Sequence, residues 1–296
     1  MTPAQNTPPM TELDLLGRAF HSFLRKTSRM MAASVAKINS KNNEGIKLLR
    51  SGDYETALAR FNESLVLTRC LLEPNPRNCK PTGYGSFSRI RSPANPLTST
   101  HVNDSRPLIN IYGVTVVKVE DDDCSPGNIF TFYNRAFVFR VRDPQTLSAN
   151  TVPIQLKRDI SACIVYNVAF ACHLAGLCTE RSQIGQRATR DELQRALSIY
   201  MMLDRLLPSD VRSVQEMKET GACVLIVRLA MLTNLGHIQS HNCRRDEALE
   251  SREKLRELFA EISMKAPYAI TKEEYGFFCF NVIFSFSIDM KVASAA

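Results

Sequence analysis

The sequence predicts a mainly α-helical chain of α+β class, in which antiparallel helical hairpins stack as a short solenoid beside a small antiparallel β-sheet. Three observations predict it. Small residues recur twelve positions apart, first as Gly45 and Ala57 and again as Gly236 and Ala248. A small residue on each of two antiparallel helices lets their backbones approach. Between these pairs, residues 109–141 are dense in β-branched and aromatic side chains, the composition of strands. From 278 to 288 every even position is apolar, and a period of two is a strand signal.

With 296 residues and 44% hydrophobic content the chain can bury a substantial core. Residues 1–10 read as a disordered tail. Residues 11–36 read as an amphipathic helix, with Leu13, Leu16, Phe20 and Leu24 on one side, that caps the stack. Its Glu12 and Asp14 argue against an organelle transit peptide, and no secretory signal pattern is seen.

The first hairpin occupies 37–72. Asn42 and Asn43 precede Gly45, Gly52 marks the turn and Asp53 caps the second helix, on which Tyr54, Ala57 and Phe61 pack. Residues 73–108, rich in Pro, Ser, Asn, Thr and Gly, read as a flexible linker. A β-hairpin insertion follows at 109–142, its strands separated by the acidic turn Glu120–Asp123.

The second hairpin, 158–207, has Ala169 as its small residue, Gly176 at its turn and an inserted loop at 177–188. Its partner helix opens on the capping box Thr189-x-x-Glu192 and carries Ala196 and Tyr200. The third hairpin, 213–262, repeats the first frame with Gly236 and Ala248. There Cys243 takes the glycine slot, and Asn242 is expected to supply the left-handed cap. The C-terminal strand, 275–288, is expected to pair with the central hairpin and join everything into one domain.

The run Asn43-Glu44-Gly45-Ile46-Lys47-Leu48, followed by Gly52-Asp53-Tyr54 and then Ala57 and Phe61, resembles the tetratricopeptide repeat. Lys41 replaces the large aromatic usual near its start, and Arg69 stands where proline commonly closes the unit. The resemblance implies that the first helix of each hairpin lines a groove. There the asparagine two positions before the small residue can hydrogen-bond an extended peptide. The matching positions are Asn43, Asn167 and Asn234, accompanied by Ile46, Phe170, His173 and His237. A competing occupant is the chain's own N-terminal helix or β-segment. Chaperone-binding repeats place cations in these slots. Asn42, Ile46, Ala230 and Asn234 stand there instead, so an acidic terminal peptide is not the expected partner.

The functional expectation is a non-enzymatic protein–protein interaction module, a scaffold or adaptor whose partner is an unidentified protein or peptide. No catalytic residue, metal site or cofactor is expected. His237 and His241 lie four apart near Cys243 but lack a fourth ligand. Cys172 and His173 are adjacent on a helix and point about 100° apart. The acidic run at 120–123 lacks the spacing of an EF-hand loop.

The alternative reading is nucleic-acid binding through basic surface and the aromatic strand Arg135-Ala136-Phe137-Val138-Phe139. The net charge of +7, with eight basic residues against three acids in the first fifty, is compatible with it but does not select it. Nine scattered cysteines without a Cys-x-x-Cys pair fit reduced thiols in an intracellular compartment; the cytoplasm is the expected setting, with the nucleus or an organelle left open. No apolar run approaches the ~18 residues of a membrane span.

Overall fold

The computed structural model describes residues 32–72, 112–119, 132–141, 154–181, 186–207, 222–265, 267 and 270–293. Among them are helices α1 (32–50), α2 (Tyr54–Leu72), α3 (Ile154–Arg181), α4 (Gln186–Leu206), α5 (Ala222–His241), α6 (Arg245–Lys265) and α7 (Lys272–Ala293), with strands β1 (Tyr112–Lys118) and β2 (Arg135–Val141). Each of α1/α2, α3/α4 and α5/α6 forms an adjacent pair. The pairs stack in chain order, α2 on α3, α4 on α5 and α6 on α7.

The first and third pairs turn with the same geometry. At the first, Gly52 has φ 78°, its N–H donates to Leu49 O (3.0 Å), and the Asp53 N–H donates to Leu48 O (3.0 Å). At the third, Cys243 has φ 57°, its N–H donates to Ser240 O (3.0 Å), and the Arg244 N–H donates to Gln239 O (2.8 Å). Both are Schellman closures. The left-handed residue is therefore Cys243, not Asn242, because the closure requires positive φ one position later. Asp53 also caps α2 as its sequence position implies, its Oδ1 accepting the Thr56 N–H at 3.1 Å.

The small residues sit at close approaches. A Cβ on Gly45 would lie 2.6–2.9 Å from the Phe61 ring, and one on Gly176 would lie 2.7 Å from Leu193. Ala57, Ala169, Ala196 and Phe61 are fully buried, as is Tyr200. Ala248 and Gly236 are buried too. Tyr54 is half-buried, and its hydroxyl reaches Cys178 Sγ of α3 at 2.9 Å.

Three sequence expectations are corrected. The C-terminal segment is helix α7, not a strand, and among the described residues the sheet has two strands, β1 and β2, paired antiparallel from Tyr112↔Val141 to Lys118↔Arg135. On α7, Glu274, Phe278 and Asn281 are buried while Phe280 is 54% and Ile283 60% exposed. The spacing of the buried residues is helical, and Phe280 breaks the alternation. Thr271 caps this helix, its Oγ1 accepting the Glu274 N–H at 3.2 Å.

The inserted loop is also shorter than 177–188, since α3 runs to Arg181 and α4 begins at Gln186, ahead of Thr189. Finally, the described part of α1, 32–50, runs unbroken through 36–37, so no break there separates the first hairpin from the segment assigned to the N-terminal helix. The remainder of that helix, the tail at 1–10, the linker at 73–108 and the acidic turn lie outside the described residues.

α3 and α5 are apolar around most of their circumference because each is packed on several sides. Two segments, Leu156–Cys178 and Cys223–His241, are long and apolar enough by length and composition to cross a membrane, but 78% and 89% of their apolar windows are buried inside the fold. Such helices are the interior of a stack. The main core runs through all three pairs and takes in Tyr133, Ala136 and Phe137 of the segment leading into and through β2.

Candidate functional site

That segment, residues 132–139, lies across the helices as a strap. A strand offers its backbone groups alternately to its two edges. Toward β1, Asn134 O accepts the Val119 N–H at 3.0 Å. The opposite edge has no strand beside it among the described residues, and asparagine side chains take that place.

On α5, Asn234 Oδ1 accepts the Tyr133 N–H (2.8 Å) and Nδ2 donates to Tyr133 O (3.2 Å). On α3, Asn167 Oδ1 accepts the Phe137 N–H (2.9 Å) and Nδ2 donates to Phe137 O (2.9 Å). On α1, Asn42 Nδ2 donates to the same carbonyl at 2.9 Å, and its Oδ1 accepts from Asn167 Nδ2 at 2.9 Å. A primary amide presents a donor and an acceptor side by side, so one asparagine can satisfy both main-chain groups of a residue.

The asparagine on α1 is Asn42, not Asn43. One helical step is about 100°; Asn42 is 1% exposed beneath the strap, whereas the Asn43 amide oxygen is buried without a partner. Ile46 is buried in the core. Asn167, Phe170, His173, Asn234 and His237 come together under the strap. Phe132 stacks on Phe170 at 5.6 Å between centroids and meets His173 edge-on at 4.6 Å.

Several further residues of the site carry no sequence signal that pointed to the groove. Tyr166 and Tyr200 bring their hydroxyls to Asn234 Nδ2 at 2.9 and 3.3 Å. Tyr133 is fully buried, and its hydroxyl donates to Glu274 Oε2 at 2.7 Å. Arg135 reaches Glu274 Oε1 at 2.6 Å and Glu273 Oε1 at 2.8 Å. Both acids lie in the first turn of α7, where the helix dipole favours negative charge. Burial nonetheless holds the Glu274 carboxyl above its usual range. Treating 275–288 as a strand hid this contact, because the helix start is what aims Glu274 at the strap.

His173 Nε2 and His237 Nδ1 lie 3.2 Å apart. Burial depresses both, His173 well below the usual imidazole range and His237 to about 3. At neutral pH this is an uncharged imidazole pair. His237 thus pairs across the stack with His173. Among the described residues no three His, Cys, Asp or Glu side chains gather as a metal site.

Cys172, beside His173 in sequence, has its thiol pushed up to about 12 by burial, which disfavours the thiolate. Phe137 is fully buried and Phe139 3% exposed, which leaves neither ring open to a nucleotide base. No protein-family model, curated protein or solved structure matches the chain.

Proposed function

We propose that this chain is a non-enzymatic interaction protein of tetratricopeptide-like type, a scaffold or adaptor that reads the main chain of an extended segment along the helices α1, α3 and α5. The observation that carries this reading is the asparagine ladder. Amides on successive helix pairs bond both main-chain groups of residues four apart in one extended segment. Such bonding gives affinity for an extended backbone of any sequence, the helical counterpart of adding a strand to a sheet edge. In the folded chain that segment is its own, so a partner engages by replacing residues 132–139.

The test is affinity capture with the full chain and with its Tyr133→Ser/Phe137→Ser variant, whose strap is loosened. The variant retains a specific protein more strongly than the unaltered chain, and adding Asn167→Ala abolishes the gain. Capture indifferent to both changes, with helicity intact by circular dichroism, removes the groove as the binding surface.

A further inference from the structure

The occupied groove also discloses its side-chain preference. The asparagine bonds reach main-chain atoms and set only an extended conformation and a spacing. Selectivity must come from strap side chains that the helices enclose, and three of them make contacts specific to their chemistry. Tyr133 lies flat on Phe278, with centroids 5.4 Å apart and planes 15° apart. It meets Phe277 edge-on at 5.1 Å and hands its hydroxyl proton bond to Glu274. Four residues on, Phe137 packs edge-on against Tyr166 at 4.8 Å. Between them Arg135 spreads its guanidinium across two carboxylates, one nitrogen on Glu273 and the other on Glu274.

Resting on the reading of the groove as a peptide-recognition surface, we propose that its external ligand is an extended protein segment with tyrosine, arginine two residues later and phenylalanine four residues later. This ligand exchanges with residues 132–139. Each position has a chemical reason. Glu274 is only 2% exposed, and without a hydroxyl donor and a cation its carboxylate would be buried uncompensated, so the site discriminates against phenylalanine at the first position. The acids sit on consecutive residues, and a planar guanidinium spans both, whereas an ammonium is a point charge. The same two carboxylates repel an acidic or phosphorylated segment and a nucleic-acid backbone.

The strap is tethered, and a tethered segment acts at about millimolar effective concentration. A free segment with identical contacts, at micromolar concentration, therefore competes at roughly one part in a thousand until the strap is weakened. The strap is thus a cover as well as a template for what replaces it.

The experiment uses full-length chains carrying Arg135→Glu, or Tyr133→Ser/Phe137→Ser, and a fluorescently labelled synthetic peptide of the chain's residues 130–142. Anisotropy is expected to show this peptide binding the loosened chains at least tenfold more tightly than the unaltered chain. The Arg135→Glu peptide should lose at least tenfold and the Tyr133→Phe peptide several-fold.

If all three peptides bind the loosened chains alike and Asn167→Ala abolishes binding, the sequence preference is wrong and the groove reading survives. If no peptide binds either loosened chain while helicity is retained, both fail. The Arg135→Glu chain leaves every asparagine bond to the strap in place, so it carries the comparison should the double variant not fold. For the unaltered chain, millimolar peptide should speed hydrogen exchange at the Phe137 amide. Unchanged exchange there, despite bound peptide, overturns strap replacement.

Discussion

Removing one amide from the ladder should cost far more than a surface polar substitution. In Asn167→Ala the Phe137 N–H loses its acceptor at 2.9 Å and Asn42 Oδ1 loses its donor at 2.9 Å. The Phe137 carbonyl keeps the bond from Asn42 Nδ2, so two groups, not three, are left unsatisfied. Asn167, Asn42 and Phe137 are at most 1% exposed, and water does not reach them. A buried donor or acceptor without a partner costs about 1–3 kcal/mol, which places the substitution, with two such groups, at about 2–6 kcal/mol. For a chain of this size each kcal/mol lowers Tm by roughly 2–4 °C.

Urea unfolding and a thermal melt of Asn167→Ala measure the loss, with Asn43→Ala as the control. The Asn43 amide oxygen has no partner, and its removal should stay within about 0.5 kcal/mol. Hydrogen exchange should accelerate at the Phe137 amide more than at amides within α6, since the ladder opens locally before the stack does. Equal stability for the two variants, or unchanged exchange at Phe137, refutes the ladder as the element that holds the strap.

Other outcomes follow from the same geometry. His173 and His237 refuse protons in the fold that they accept when unfolded, with an ordinary imidazole pKa near ~6.5. Their contribution is whole above about pH 6.5 and is lost as pH falls toward the depressed folded value, about 3 for His237, at about 1.4 kcal/mol per pH unit for each imidazole. Urea titrations between pH 7 and 4 should show this slope, and His237→Gln should shed one proton's worth of it. Cys243→Gly should stabilise by about 1 kcal/mol in a thermal melt, since φ 57° is costly for a residue with a Cβ. On α7, Phe278→Ala should cost about 3–5 kcal/mol, while Phe280→Glu, at a 54% exposed position, should stay within about 0.5 kcal/mol; a strand at 278–288 would make the two alike.

Much of the scaffold was legible because its determinants are local. A helix pair needs small residues at its closest approach, and Gly45, Ala57, Gly236 and Ala248 advertise that need at a constant spacing. The strand character of 135–141 was equally visible in its β-branched and aromatic residues. The C-terminal segment misled because an apolar residue at every second position from Phe278 also satisfies part of a helical stripe. Burial of Glu274, Phe278 and Asn281, with Phe280 in solvent, decided between the periods, and no sequence window contains that information.

By itself, then, the sequence determined where helices turn, which faces are small enough to pack, and that asparagines recur on the first helix of each pair. Tertiary structure alone decided that those asparagines bond to this chain's own strand. The choice between Asn42 and Asn43 depends on the rotational phase of α1 against the strap, a quantity set by packing with α2 and α3. The partners of Tyr133 and Arg135 lie about 140 residues away. A contact at that separation is chosen by the stacking of whole helices, and no local pattern encodes it. An open groove and a filled one share the same repeat signature, because the signature records how helices touch each other and not what lies across them.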